Sequence, residues 1–321
     1  MNLNCLADLP ARLQHPQVRD LAWALLSPPL LRDTPWPQRH PLAASRWNRH
    51  PGELADWLLL QDRDASVLQA WLAQSSVRRL GLYYERLWQY ALCHAPDVQL
   101  LVANLPIRRH GQTLGELDLL LRDADGVHHV ELAVKFYLGL DSGNCSQYDR
   151  WLGPGSHDRL DIKLARLCQH QLPLAGEAQA RAVLAELTCC RVVSVLWLGG
   201  YLFRPWPVGC QSPAGCNPAH LHGRLLRRSD WANFRDSEPA AHWQPLQRHT
   251  WLAPARLAGE EIWPHVAFDS WLDELPVRHP AQLLARFERD GQGDWLERER
   301  LFMVPDDWPR TAEERAASAL P

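Results

Sequence analysis

Three acidic side chains fall on one face of two consecutive predicted strands. Glu116 and Asp118 alternate with leucines in the segment 116–122, and Glu131 alternates with apolar residues in the segment 127–138. Because every second side chain of a strand shares a face, each strand has one polar face and one apolar face. Carboxylates on neighbouring strands repel one another unless a cation lies between them. Mg²⁺ and Mn²⁺ prefer such oxygen ligands and can activate a bound water for attack on phosphate.

The loop between these strands decides which acids face each other. Asp125-Gly126 is typical of a tight turn, because both residues tolerate positive φ. A two-residue loop at this pair would place Asp118 opposite Ala133, and a four-residue loop would place Asp118 opposite Glu131. Both registers gather Asp118, Glu131 and Glu116 on one face, where Mg²⁺ or Mn²⁺ could bind between the carboxylates.

A polar strand face also has a simpler interpretation. In a hairpin with one solvated face, the acids and the following lysine form exposed cross-strand pairs that contribute little to stability. The residues concerned would be Glu116, Asp118, Glu131 and Lys135. The alternation alone favours this solvated hairpin over a metal site.

Hydrophobic periodicity predicts helices before the strands. Apolar residues recur at helical spacing in three segments separated by proline-rich stretches, 18–26, 52–60 and 65–73. These predict an N-terminal helical cap over residues 1–74. The next helix, predicted over 77–93, has an apolar stripe with Glu85 at its edge, where a carboxylate could face a site.

The elements around and after the acidic strands complete an α/β pattern. The predicted segments are an apolar strand at 98–105, a helix at 158–172, a short helix at 178–187 and a buried strand at 191–203. Residues 75–205 thus follow the order helix, three strands, helix, strand, which predicts a mixed sheet flanked by helices. Residues 206–321 are expected to form a C-terminal α+β extension packed on that core, with a strand-like segment at 243–251 and a helix at 281–289.

The segment GELDLLLRDADGVHHVELAVK, from Gly115 to Lys135, resembles the second and third strands of PD-(D/E)XK nucleases. The resemblance implies a restriction-endonuclease-like core, with Asp118 and Glu131 as metal ligands and Glu85 as an auxiliary acid. It also implies a catalytic lysine two residues after the glutamate. Position 133 is Ala, so the lysine departs from the pattern.

Two lysines could take the missing role. Lys135 shares a strand face with Glu131, and Lys163 lies on the predicted helix that follows. We favour Lys135, because Ala133 leaves room for its side chain. The expected catalytic residues are therefore Glu85, Asp118, Glu131, Lys135 and Lys163.

Over most of its length the chain also resembles the bacterial DUF1853 family. The resemblance rests on the segments VRDLAWALLSPPLL, HVELAVKFYL, GPGSHDRLDIKLARL, NPAHLHG and RHTWLAPARL. It supports the fold and the site, and it implies no particular substrate.

A basic stripe is predicted on the helix at 158–172. Its members recur at i, i+4, i+7 and i+11 and are Arg159, Lys163, Arg166 and His170. Such a stripe could hold a nucleic-acid backbone, or it could be an ordinary solvated face. The formal net charge of −3 gives no global attraction to a polyanion, so a local basic patch would have to bind one.

Weaker sequence signals concern a zinc site, other enzyme classes and the cellular location. Cys210, Cys216, His220 and His222 could bind Zn²⁺, but their spacing is uncommon, so we do not expect structural zinc. The chain has no Gly-rich phosphate loop and no Gly-x-Ser-x-Gly elbow. No segment is apolar and long enough for a signal peptide or a membrane span, and the eight irregularly spaced cysteines suggest reduced thiols, so we expect a cytoplasmic protein.

The leading functional hypothesis is a metal-dependent phosphodiesterase that acts on DNA or RNA. The alternative is a nuclease-like fold without cleavage, which serves as a nucleic-acid-binding or protein-interaction module. The substituted Ala133 favours this alternative. The sequence leaves open the choice between DNA and RNA, between duplex and single strand, and the oligomeric state.

Overall fold

The computed structural model of the chain describes residues 2–74 and 79–310. The helices are α1 (Leu9–Arg12), α2 (Pro16–Leu26), α3 (Arg46–Arg49), α4 (Pro51–Arg63), α5 (Ser66–Ala73), α6 (Leu80–His94), α7 (Leu160–Arg166), α8 (Ala178–Leu187), α9 (Trp231–Ser237) and α10 (His265–Glu274). The strands are β1 (Gln99–Arg109), β2 (Gln112–Asp123), β3 (Gly126–Gly139), β4 (Trp151–Leu152), β5 (Val192–Pro205), β6 (Leu221–Arg227), β7 (His242–Pro245), β8 (Arg256–Leu257), β9 (Gln282–Arg289) and β10 (Trp295–Val304). The protein has a mixed α/β fold with a large mixed sheet flanked by helices, as the sequence predicted.

The chain divides into two compact units. The first comprises Met1–Val134 and Leu164–Gly199, and the second comprises Lys135–Lys163 and Gly200–Pro321. Strands β3 and β5 both continue from the first unit into the second. The three-part division expected from the sequence stays a prediction about domains, and its residues 75–78 and 311–321 lie outside the described part.

In the first unit the strands follow the order β1, β2, β3, β5. β1 pairs antiparallel with β2, and β2 pairs antiparallel with β3. β5 runs parallel to β3, because residues with higher numbers on β3 lie beside residues with higher numbers on β5. The His129 ring lies 3.2 Å from the Ser194 hydroxyl, and farther along the Ala133 carbonyl lies beside Gly199.

Helices that begin with proline or carry an apolar stripe cover this unit. α2 starts at Pro16, which favours the first turn because its missing N–H would be unpaired there, and α2 packs against α6. α6 buries Tyr84, Leu87 and Ala91, the stripe that helical spacing predicts. The helices predicted at 18–26, 52–60, 65–73 and 77–93 are confirmed as α2, α4, α5 and α6, although residues 77 and 78 lie outside the described part.

In the second unit the strands follow the order β5, β6, β10, β9, β7. β5 and β6 pair in parallel, as do β6 and β10, whereas β9 is antiparallel to both of its neighbours. Helices α9 and α10 contribute Phe234 and Phe268 to a cluster with Trp243 of β7. Gly200 has φ +132, and a Cβ there would lie 1.7 Å from the Lys135 carbonyl oxygen, so only glycine fits where β5 approaches β3.

Four local predictions were wrong. The segment 281–289 is strand β9, not a helix, because Leu283, Leu284 and Phe287 are buried between two neighbouring strands and this tertiary context overrides helix propensity. The segment 243–251 contains only the short β7 followed by a 3₁₀ turn at Arg248–Thr250.

The remaining two concern the turn between the acidic strands and the type of the helix that follows them. The turn between β2 and β3 is Ala124-Asp125, one residue earlier than predicted, and Gly126 with φ +129 already belongs to β3. The helix predicted at 158–172 is α-helical only in α7, then continues as a π-helix at Leu167–Gln171 and a 3₁₀ helix at Leu172–Gly176.

Among the residues that the structure describes, no helix combines the length and the apolar character needed to cross a lipid bilayer.

Candidate active site

The register of β2 against β3 brings two of the predicted acids together. The pairing runs from Asp123 and Gly126 to Leu119 and Val130. Continued by one step, it places Asp118 opposite Glu131. A four-residue loop would give the same pairing, but here the two-residue turn Ala124-Asp125 produces it. At that step the Asp118 carboxylate accepts a hydrogen bond from the backbone N–H of Leu132, at 3.0 Å. The two carboxylates therefore lie on the same face of adjacent strands.

Glu131 is buried, with 1 % of its surface exposed. One carboxylate oxygen accepts a hydrogen bond from the Gln171 side chain, and the other lies 3.5 Å from the imidazole Nε2 of His129. A buried acid held by fixed polar groups is not the exposed partner of a solvated hairpin. The alternative of a solvated polar face therefore does not describe Glu131.

The electrostatics of Asp118 are those of a crowded acid. Burial and, to a smaller extent, the neighbouring Glu131 charge together raise the pKa of Asp118 to about 7. The hydrogen bond from Leu132 and the proximity of His129 act in the opposite direction. Strongly perturbed carboxyls of this kind are concentrated at functional sites, although structural networks also contain them.

His129 lies beside both acids and is fully buried. Burial lowers its pKa to about 4, although the Asp118 charge works against this, so the ring is neutral at neutral pH. Its Nδ1 contacts the Ser194 hydroxyl on β5, and its Nε2 is aimed at Glu131. The neutral ring thus lies against Glu131 without compensating its charge.

Glu85 and Glu116 meet through an intervening amide. The Asn104 side chain donates to Glu116 at 3.0 Å and to Glu85 at 3.4 Å, and its oxygen accepts a hydrogen bond from Gln89. Asn104 has φ +54, a conformation that asparagine tolerates better than most residues. Its neighbours on β1 pair with residues on both sides of Asp118, so Asn104 lies across from Asp118. Asn104 thus joins Glu85 of α6 to Glu116, which lies on β2 two residues from Asp118.

Asp118 and Glu131 alone form a donor set suited to a hard divalent cation. Within residues 2–74 and 79–310, no group of three or more His, Cys, Asp or Glu side chains is arranged to hold a metal ion. Mg²⁺ is commonly bound by one or two carboxylates, with waters and substrate phosphate oxygens completing its octahedron. Asp118 and Glu131 suffice for that donor set, and a cation would offset both the burial and the repulsion from Glu131 that raise the pKa of Asp118.

Gln171→Leu should lower the free energy of unfolding by about 1.5–3 kcal/mol, the usual contribution of a hydrogen bond to a charged group. The physical reason is that the buried Glu131 carboxylate loses the donor that Gln171 provides. Urea denaturation measures the change, and Gln169→Leu is the control, because Gln169 is an exposed neighbour in the same π-helix. Equal changes in the free energy of unfolding for the two substitutions would show that the hydrogen bond from Gln171 to Glu131 does not stabilise the fold.

The two candidate lysines belong to the second unit. The Lys135 ammonium lies 2.6 Å from the Asp158 carboxylate, so its ion-pair partner is Asp158 and not Glu116. Tyr137, two residues farther along β3, is fully buried, and burial together with the nearby Asp158 and Asp161 raises the pKa of its hydroxyl. Lys163 lies in α7 and is half-buried.

The basic residues around α7 do not form the predicted helical stripe. Arg159 precedes the helix, and its guanidinium is engaged by Asp161 through contacts of 2.6 and 2.8 Å. Arg166 and His170 are exposed, but His170 lies in the π-helix, whose wider turn rotates it away from the α-helical spacing. Arg166 and His170 remain candidates for nucleic-acid contacts, as does Lys163.

The Cys and His cluster in the second unit is held by protein groups. The His220 ring contacts the Cys216 thiol at 3.2 Å, the Asn217 carbonyl at 2.7 Å and Arg204 at 3.1 Å. His222 lies with its ring 5.9 Å from that of His220. Cys210 is a free thiol near Cys145 instead, and burial raises its pKa to about 12.

Sequence reasoning missed the residues that hold the acids in place. Gln171, Asn104 and Ser194 are uncharged, and each comes from an element that the acidic alternation does not include. His129 lies two residues before Glu131 on the same strand face, and nothing in the alternation indicated that it is buried. The only available signal was Asn104, a polar residue within an otherwise apolar strand.

Comparison with known proteins gives one family match. A family model described as "Domain of unknown function (DUF1853)" matches residues 19–304, a range that includes Glu85, Asp118, Glu131 and Gln171. No curated protein and no solved structure matches the chain.

Proposed function

The chain belongs to the DUF1853 family, and we propose that it is a metal-dependent phosphodiesterase that cleaves DNA or RNA. One observation carries this proposal: Asp118, which is partly buried, and Glu131, which is fully buried, face each other from adjacent strands, with the pKa of Asp118 raised to about 7. Two close, buried carboxylates destabilise a fold unless they share a proton or bind a cation.

We further propose that the core has the restriction-endonuclease-like topology. The order α6, β1, β2, β3, α7, α8, β5 and the sheet order β1, β2, β3, β5 support this, as does the parallel direction of β3 and β5. In that arrangement the second and third strands carry the acids, and here they are β2 and β3.

The chemistry of the proposed site follows from its donors. A bound Mg²⁺ or Mn²⁺ would polarise a phosphodiester and lower the pKa of a bound water. Asp118 and Glu131 would hold the ion, and Gln171 and the neutral His129 would keep the Glu131 carboxylate in a fixed orientation. Glu85 and Glu116, linked by Asn104, would add negative charge near its hydration shell.

A second candidate function is favoured by a specific observation. The lysine that PD-(D/E)XK enzymes carry two residues after the glutamate is replaced by Ala133, and the Lys135 ammonium is held by Asp158. A nuclease-like fold that binds nucleic acid or a protein partner without cleaving would have no need of that lysine. We propose a cytoplasmic location for the protein, whether it is the phosphodiesterase or the binding module.

Wild-type protein is expected to cleave at least one member of a panel of duplex and single-stranded DNA and RNA when Mg²⁺ or Mn²⁺ is present, and to stop when EDTA is added. Gel separation of end-labelled products measures the result. Binding of the panel without any cleavage, in either metal, would reject the phosphodiesterase and support the binding module.

A further inference from the structure

The β1–β2 hairpin extends beyond the core of the first unit. Ile107 is fully buried at the base of the hairpin, and Gly115 opposite it packs against Leu174, which lies 2.8 Å from where a Cβ would stand. Every residue from 108 to 114 is exposed. The hairpin tip, defined here as residues 108–114, is therefore a two-stranded ribbon with a fixed base.

The turn and a bulge give the hairpin tip a defined shape. His110 and Gly111 both have positive φ, +48 and +80, as the tight turn between paired strands requires. The register shifts between Ile107 and Arg108, which leaves Leu114 as an extra residue on β2 with 47 % of its surface exposed. A bulge redirects side chains and increases the local twist of a ribbon.

The hairpin tip is basic and rich in hydrogen-bond donors. Arg108 pairs across the ribbon with Thr113, and Arg109 with Gln112. Adjacent residues of a strand point to opposite faces, so the arginines present one guanidinium on each face. Neither guanidinium makes an ion pair or hydrogen bond within the described part of the chain, and no acid occurs from residue 99 to 115.

We infer that the hairpin tip is a duplex-DNA contact that enters the major groove, with Arg108 and Arg109 on the flanking phosphates. The major groove of DNA, about 12 Å wide, admits a two-stranded ribbon, whereas the major groove of duplex RNA is too narrow. The choice of nucleic acid as partner rests on the proposed function.

The position of the hairpin tip suits the proposed site. Asp118 lies six residues beyond Gln112 on β2, about 20 Å at the usual rise of a strand. This is less than one helical turn of DNA, about 34 Å. The hairpin tip and Asp118 are therefore close enough to contact the same duplex.

The test is the affinity for a fluorescein-labelled DNA duplex of about two helical turns, measured by fluorescence anisotropy in EDTA, where no cleavage occurs. Arg108→Ala/Arg109→Ala should weaken binding about tenfold or more and reduce the slope of log K against log salt by about 1.8. The matched control is Arg12→Ala/Arg63→Ala, which removes the same charge from exposed arginines of α1 and α4. The control should retain its affinity within about twofold.

Three results would overturn the inference: unchanged affinity of the hairpin variant, an equal loss in the control, or an equal loss for single-stranded DNA and duplex RNA of the same sequence. Circular dichroism and melting confirm that both variants fold. The binding assay does not depend on cleavage. A wild type that binds through the hairpin tip but never cuts rejects only the phosphodiesterase, and one that cuts while the hairpin variant binds normally rejects only this inference.

Discussion

Asp118→Asn and Glu131→Gln should each reduce metal-dependent cleavage by at least about 100-fold, because loss of a ligand to the ion removes several kcal/mol of transition-state stabilisation and each 1.36 kcal/mol is tenfold in rate. Both substitutions preserve the shape of the side chain. The asparagine oxygen can still accept the hydrogen bond from Leu132, so the strands should keep their register. Single-turnover rates at saturating Mn²⁺ measure the effect on the chemical step.

Glu186→Gln is the control for these variants, because Glu186 is an exposed acid of α8 in the same unit. It should cleave at the wild-type rate. If Asp118→Asn or Glu131→Gln also cleaves at that rate, the activity belongs to other residues and the proposed site is wrong.

The second expected result is that Asp118→Asn makes the protein more stable above pH 7 in EDTA. The pKa of Asp118 is raised from 3.8 to about 7 in the folded protein, so the folded state binds its proton more tightly than the unfolded state does. That stabilisation is complete below about pH 4 and is lost as the pH rises to about 7. At pH 8 the ionised aspartate therefore destabilises the fold, by at most about 4 kcal/mol, and asparagine does not.

Thermal unfolding at pH 4 and pH 8 measures this difference. Asp118→Asn and wild type should melt at similar temperatures at pH 4 and diverge at pH 8, with the variant higher. Asp56→Asn, which makes the same change at an exposed position of α4, should show no such divergence. Mn²⁺ at pH 8 should raise the melting temperature of the wild type but not that of Asp118→Asn. Coincident melting of wild type and Asp118→Asn at pH 8 would mean that the folded protein does not disfavour the ionised Asp118 carboxylate.

The expected gain in stability has a functional meaning. An acid pair that weakens the fold at neutral pH has no structural benefit when Asn in place of Asp118 would keep the Leu132 hydrogen bond. Strain and unfavourable charge of this kind are retained where activity requires them. The destabilisation expected from the ionised Asp118 and Glu131 pair therefore supports a functional site more strongly than the presence of acids alone does.

Strong local periodicity made most of the first unit predictable. The apolar stripe of α6 and the alternation of β2 and β3 are set by short-range spacing, so their type and approximate bounds follow from the sequence. The common face of Asp118 and Glu131 follows from the same alternation. The choice between two registers did not, because it depends on whether the turn begins at Ala124 or at Asp125.

Long-range contacts explain what the sequence did not predict. β9 is a strand because it is buried between β10, which follows it directly as an antiparallel neighbour, and β7, from which β8 and α10 separate it in the chain. Gln171, which donates to Glu131, is the last residue of a π-helix that follows α7, and no periodicity in the sequence predicts that turn. The partner of Lys135 is Asp158, 23 residues away in a glycine-rich loop whose path no periodicity predicts.

The most direct test of the proposed site is an anomalous difference map from crystals soaked in Mn²⁺. We expect a single strong peak about 2.1 Å from a carboxylate oxygen of both Asp118 and Glu131, with waters completing an octahedron. The same soak of Asp118→Asn crystals should give no peak there. Wild-type crystals that bind Mn²⁺ elsewhere, or that leave these two carboxylates without metal at millimolar concentration, would contradict the account.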